Sequence, residues 1–332
     1  MNRGSATIAG IAVLALGAFL RSGIAKVERS RAWEPDRLLH SDRSLLQRHA
    51  PTKRPELGAN ADARSHAARQ LDRSTAILAG SVLLDSTVEH YRGSFENRGM
   101  YLPLAVASAA VSAGLTGNRT GSAARRLRLG SYIAAGLTGI IGFAFHAYNV
   151  TKRPGGVSWH NLFYAAPIGA PGALTLAGVT GLCAERIRAT PDGEAPTILG
   201  QPADRSLATL TSAGILADVA EVWLLHFRGA FHNPAMFLPV TVPPVASLLL
   251  AGTALNARWA RPARTRHWLW ATAALGIGGV AFHAYGVQRM MGGWRNWSQN
   301  VLDGPPLPAP PSYTGLALAG LAALTLKDAG MR

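Results

Sequence analysis

Eight apolar stretches separated by short polar loops run along the chain, at about 74–91, 101–117, 129–150, 163–184, 206–227, 236–256, 267–288 and 312–327. Most are roughly 17 to 23 residues long, which an α-helix needs to cross about 30 Å of hydrocarbon. The pattern predicts an all-α polytopic membrane helix bundle. A shorter apolar run at 4–20, behind Arg3, predicts one N-terminal hydrophobic helix within 1–25, either a signal anchor or a cleaved signal peptide. Between it and the first long run, residues 26–73 are polar and basic. They are expected to form a loose, partly helical surface segment, with Leu38, Leu39, Leu45 and Leu46 as one amphipathic stripe on the bilayer.

The runs fall into two sets of four. His90-Tyr91-Arg92-Gly93-Ser94-Phe95-Glu96-Asn97, with Met100 and Pro103 after it, recurs as His226-Phe227-Arg228-Gly229-Ala230-Phe231-His232-Asn233, with Met236 and Pro239 after it. A second phrase, Gly142-Phe143-Ala144-Phe145-His146-Ala147-Tyr148, recurs as Gly279-Val280-Ala281-Phe282-His283-Ala284-Tyr285. The interval between the two histidines is 56 residues in the first set and 57 in the second. Two phrases in one order at nearly one spacing predict a tandem duplication. The expected units are a first four-helix repeat at 74–185, a linker at 186–205 and a second repeat at 206–332. Four crossings per unit return the chain to its starting side, so the repeats should be parallel. Pro-rich stretches before the fourth run of each set, Pro167 to Pro171 and Pro306 to Pro310, should form a non-helical cap.

Composition supports the membrane reading. Of 332 residues, 48% are hydrophobic and 15% charged, against about 25% charged in soluble domains. The formal charge of +15 does not point to nucleic acid, because the basic residues sit in short loops between apolar runs. Arg119, Arg125, Arg126, Arg128, Arg186, Arg188, Arg205, Arg258, Arg261, Arg264 and Arg266 fall on one face, against seven Lys or Arg on the other. The richer face is assigned to the cytoplasm of a bacterial inner membrane, and the repeated histidines to the non-cytoplasmic side. A cleaved leader would invert that orientation. The single cysteine, Cys183, excludes an internal disulfide and any multi-cysteine cluster.

His90, His146, His226 and His283 each end, or nearly end, an odd-numbered crossing, so crossing count alone places them near one face. Imidazoles there either cap helix ends or hold a cofactor. In the cofactor reading, His90 with His146 and His226 with His283 would ligate haem b. Arg92 and Arg228 would then meet its carboxylates, although such arginines also anchor helices at the interface. Asp85 and Glu221 occupy matching positions, five residues before their histidines. Glu89, four residues after Asp85, shares its helix face. These three acids could join the four histidines around a non-haem iron or another divalent metal, or act as proton carriers, or pair with Arg92, Arg228 or a histidine. Asp218 has no acidic counterpart. Asn97 and Asn233 should cap the chain into the next helix, and Met100 and Met236 are packing residues or axial ligands.

Three functions are therefore expected in principle. One is a haem-bearing electron-transfer subunit exchanging electrons with quinone and a dehydrogenase or cytochrome partner. Another is a non-haem metal enzyme, and the last a transporter or membrane scaffold without cofactor. Four equivalent imidazoles beside two arginines suit the first best.

Overall fold

The computed structural model describes residues 54–164 and 169–330, with side chains in the first helix from Asn60 onward. The N-terminal apolar run, the leucine stripe at Leu38 to Leu46, Pro167 and Ile168 lie outside the described residues. What is described is mostly helical. In chain order come α1 (Arg54–Arg92), α2 (Leu102–Leu115), α3 (Ser122–Thr151), α4 (Trp159–Tyr164), α5 (Gly169–Arg188), α6 (Ala203–Arg228), α7 (Leu238–Ala254), α8 (Pro262–Arg289), α9 (Trp297–Asp303) and α10 (Pro311–Asp328). One-turn 3₁₀ helices at Arg98–Tyr101 and Pro234–Phe237 lead into α2 and α7. The linker holds a two-residue hairpin, Thr197–Ile198 paired antiparallel with Gln201–Pro202. Leu199 and Gly200 turn it with φ of +53° and +77°, which a tight primed turn requires.

Three helical stretches are long and apolar enough to cross a membrane by length and composition: Ser122–Thr151, Ala203–Arg228 and Pro234–Ala254. The membrane reading rests on these three rather than on all eight runs. The reason is visible in the packing. α10 lies against α1, α6 and α8, and α5 lies against α1 and α3. Leu316, Ala319, Leu321, Ala322 and Leu324 of α10 are fully or almost fully buried, as are Leu174, Ala177 and Ile187 of α5. A helix surrounded by other helices needs small residues for close approach more than it needs bulk apolar character. On the outside, Ile141 and Phe145 of α3, Leu248 of α7, and Trp270, Ile277 and Phe282 of α8 are exposed.

Small and hydroxylated residues set the helix contacts. A methyl added at Gly139 of α3 would lie 2.3 Å from Thr175 Oγ1 and 2.6 Å from the Pro171 carbonyl of α5. At Gly276 of α8 it would lie 2.3 Å from Thr314 Oγ1 of α10 and 2.9 Å from the carbonyl of Pro310, the residue before α10. The same close approach is thus built at matching positions of the two sets. Hydroxyl pairs join Thr75 to Thr180 at 2.9 Å and Ser212 to Ser247 at 2.8 Å, satisfying polar groups without water.

Two expectations change. α1 starts at Arg54 and not at the edge of the apolar run, and its polar first half is packed. Ala67, Ala68 and Leu71 are buried, with Asp72 at 4% exposure. Ala63, Ala67 and Leu71 recur every four residues and so share one face, and polar neighbours dilute that stripe in the sequence. Of the two Pro-rich stretches, Pro306 to Pro310 is non-helical, while the first differs from a purely irregular cap. Gly169, Ala170 and Pro171 already lie in α5, because proline fits the first turn of a helix.

Asp72 belongs to a buried ion network at the end of the bundle away from the repeated histidines. Arg128 donates from Nε to Glu185 at 2.7 Å, and Arg188 bridges Glu185 and Asp72. Arg128 and Glu185 are 4% and 2% exposed.

Candidate functional site

Each copy of the first repeated phrase folds into the same turn. After α1, Ser94 and Phe95 adopt φ of +54° and +48°; after α6, Ala230 and Phe231 adopt +54° and +44°. Two successive left-handed residues without glycine cost about 1–2 kcal/mol each, so the turn must be held from elsewhere. The Phe95 amide donates to the His90 carbonyl at 3.0 Å, and the Phe231 amide to that of His226 at 3.1 Å. The Phe95 ring stacks on Tyr101 at 4.3 Å, and Phe231 on Phe237 at 4.5 Å. Gly93 and Gly229 make room for the methionine methyls. A Cβ there would come within 3.3 Å of Met100 Cε and 3.1 Å of Met236 Cε. Both methionines are therefore packed over the turn. Asn97 accepts from the Gly99 amide at 2.8 Å and Asn233 from the Ala235 amide at 2.9 Å, the caps expected from the sequence.

The histidines close these turns. His90 Nδ1 bonds the Met100 carbonyl at 2.7 Å, and His226 Nδ1 bonds that of Met236 at 2.8 Å. His283 Nδ1 reaches the Pro306 carbonyl at 2.6 Å. A carbonyl only accepts, so Nδ1 carries the proton, and in the neutral ring Nε2 keeps its lone pair. His283 thereby straps α8 to the Pro-rich segment before α10, which Ser81 of α1 also holds through the Pro308 carbonyl at 2.5 Å. His146 sits half-buried on α3. Pro167, which matches Pro306, lies outside the described residues. His226 and His283 are electrostatic neighbours.

The arginines differ from each other. Arg92 pairs with Glu89 at 2.9 Å. Arg228 makes no such pair among the described residues and lies over the rings of Phe163 and Tyr164, 5.9 and 5.5 Å from their centres. It is a cation–π anchor.

The acids gather where α1 and α6 approach α5 and α10. Glu89 and Glu221 both lie close enough to Asp85 for their charges to repel it, and Asp218 is in turn close to Glu221. Asp218 accepts from Ser312 Oγ at 2.7 Å. A cavity of 150 Å³ opens there, lined by Leu78 of α1, Phe143 of α3, Leu176 of α5, Asp218 and Glu221 of α6, and Ser312 of α10. α5 begins against this site, since a methyl on Gly169 would lie 2.9 Å from Glu221 Cγ. No lysine or arginine pairs with Asp85 or Asp218 among the described residues.

Among the described residues, no three histidine, cysteine, aspartate or glutamate side chains come together so as to hold a metal ion. The seven residues put forward as metal ligands, His90, His146, His226, His283, Asp85, Glu89 and Glu221, thus do not assemble as one donor set. His90, His226 and His283 are drawn to backbone carbonyls, and Asp85 and Glu221 lie five residues before His90 and His226 along α1 and α6. Asp218 and Ser312 are the site residues that matching positions in the two sets do not reveal. Asp218 stands three residues before Glu221, a spacing that puts both on one helix face.

No known protein family, curated protein or solved structure matches this chain.

Proposed function

We propose that the chain is a multi-pass membrane protein of two tandem four-helix units whose shared interior carries protons, with Asp85, Asp218 and Glu221 as the carriers. The observation behind this reading is the cavity between α1, α3, α5, α6 and α10, into which two carboxylates and one hydroxyl project with a third carboxylate in electrostatic reach. Ionisable groups within a bilayer are costly and mark ion or proton paths by default. Glu89 differs, because Arg92 neutralises it toward the aqueous end of α1. Proton transfer needs oxygens joined by hydrogen bonds or water, not a gathered ligand shell. The arrangement therefore suits protons better than a divalent metal. In this reading the His–carbonyl straps hold the mouth of the path rigid, and the cation-rich loops face the cytoplasm.

The test is proton flux into proteoliposomes loaded with a pH-sensitive dye, driven by an imposed potassium diffusion potential. Wild-type protein should carry protons above the rate of empty vesicles. D218N combined with E221Q should lower that rate at least about 10-fold, the loss expected when proton-transfer groups are removed. Wild-type flux no faster than empty vesicles, or undiminished flux in the double variant, would overturn the reading.

A second reading keeps a specific observation in its favour. In His90, His226 and His283 the Nδ1–H···O=C bond leaves Nε2 as the free donor atom, the tautomer in which ligating histidines are usually held. The protein would then bind haem b through the four repeated histidines, with Arg92 and Arg228 near its carboxylates, and exchange electrons with quinone or a dehydrogenase or cytochrome partner. Purified protein from haem-replete cells should show a Soret band that H226A removes. A colourless, folded preparation would eliminate this reading.

A further inference from the structure

The first turn of α10 meets three other helices with three consecutive hydroxyls. Ser312 Oγ donates to Asp218 Oδ2 of α6 at 2.7 Å, Tyr313 Oη to the Pro239 carbonyl of α7 at 2.9 Å, and Thr314 Oγ1 to the Ala273 carbonyl of α8 at 2.8 Å. The middle contact has a cause in the sequence. Pro243 and Pro244 lie inside α7. Proline has no amide hydrogen, so the carbonyl four residues before Pro243, that of Pro239, loses its helical donor. Tyr313, 2% exposed, replaces it.

The first unit cannot build this chain of contacts. At the spacing of the repeats, Val82 stands in place of Asp218, Ala107 in place of Pro243, Ala173 in place of Ser312 and Leu174 in place of Tyr313. Three polar residues and one proline that depart from the duplicated pattern thus meet at one place, beside the cavity that Asp218 and Ser312 line. Ser312 also has two acceptors for one hydrogen: Asp218 Oδ2 at 2.7 Å and the Ala309 carbonyl at 2.8 Å. With Asp218 ionised, that hydrogen goes to the carboxylate, the stronger acceptor, and Ala309 keeps the Ser312 amide at 3.1 Å. With Asp218 protonated, the acid donates to Ser312 Oγ and the Ser312 hydrogen turns to Ala309. Glu221 on α6 and Tyr313 on α10 are the titratable groups close to Asp218, and Asp85 of α1 lies close to Glu221. Of the other helices packed against α6, α7 contains no titratable residue and α5 none before Cys183.

We propose that the second unit carries a protonation switch, in which Ser312 changes acceptor with the charge on Asp218 and Tyr313 passes the change to the proline-broken start of α7. This switch rests on the reading of Asp218 as a group that gains and loses a proton. Ionised Asp218 holds the first turn of α10 toward α6, with Tyr313 seated on the Pro239 carbonyl. Neutral Asp218 releases Ser312 to Ala309, the turn shifts about Thr314, and Tyr313 slackens its hold on α7.

The test is amide hydrogen exchange of the full chain in detergent at one pH, read by mass spectrometry over α7. D218N mimics the neutral acid and should speed exchange in the first two turns of α7 about 5-fold, as loss of one hydrogen bond does. Y313F should do the same, and D218N added to Y313F should do no more. S312A is a second route: it removes the shared hydroxyl, and should speed α7 in the presence of Tyr313 but not in Y313F. The matching helix α2 should be unchanged throughout. A rise caused by D218N or S312A that persists in full in the Y313F background, or α7 exchange untouched by all three substitutions, would overturn the proposal. A Tyr313-dependent response in a protein that carries no proton flux would sustain the switch and remove only the proton-path reading; flux without that response would do the reverse.

Discussion

Glu185→Leu is expected to lower the melting temperature in detergent by roughly 10 °C, the equivalent of about 3–5 kcal/mol for an uncompensated buried charge. Arg128 is 4% exposed and Glu185 is its charged partner at 2.7 Å. Leucine at 185 would leave the Arg128 guanidinium among apolar neighbours with only the carbonyls of Thr116 and Arg119 to bond. Leucine itself fits the matching place in α10, where Leu324 stands. The loss would therefore come from the stranded charge and not from the shape of leucine. A second variant separates the two causes. Glu185→Leu combined with Arg128→Thr gives both positions the residues found at Leu324 and Thr265, and should recover most of the lost stability. An equal loss in single and double variants would show that the ion pair is not what holds this end together.

Gly139→Ala and Gly276→Ala should each destabilise the bundle by about 1–3 kcal/mol, the usual cost of overpacking, although alanine alone favours a helix by about 1 kcal/mol. The Cβ would enter the backbone of the neighbouring helix: 2.5 Å from the Thr175 amide at Gly139 and 2.8 Å from the Thr314 amide at Gly276. Backbone cannot rotate away as a side chain can, so the helices must separate. Gly130→Ala on the same α3 is the control. Nothing lies within 4 Å of its Cβ, and the variant should be neutral or slightly more stable. Thermal unfolding monitored by circular dichroism reads all three. Equal behaviour of Gly130→Ala and Gly139→Ala would refute the close-approach account. Because Gly139 packs against α5 and Gly276 against α10, and both helices line the carboxylate cavity, the proposed proton flux should also fall in either variant that folds.

The repeated turns are legible in the order of residues because their causes are local. Asn97 and Asn233 accept from an amide two residues on, and Gly93 and Gly229 leave space for a methionine seven residues ahead. Spacing along the chain is enough to propose such features. The role of the histidines is only half legible. Matching positions in two copies serve a ligand and a strap equally well, and the bonds to Met100, Met236 and Pro306 depend on where the following segment comes to rest. Asp218 carries no repeat signal, because its counterpart is Val82. In the fold it meets Ser312, ninety-four residues later, a contact that no periodicity predicts.

The amino-acid sequence alone determined that helices of membrane-crossing length exist, where they turn, and that one turn is built twice. Those properties follow from apolar period, cap chemistry and local glycine, each acting within a few residues. The tertiary structure alone decided which helices lie inside. It also decided that the polar start of α1 is packed, that one end of the first set neutralises Arg128 and Arg188 with Glu185 and Asp72, and that Asp218 and Glu221 of α6 line one cavity with Ser312 of α10. Those outcomes depend on which small residues of one helix admit the backbone of another, a complementarity between distant segments that the order of residues in either one does not contain.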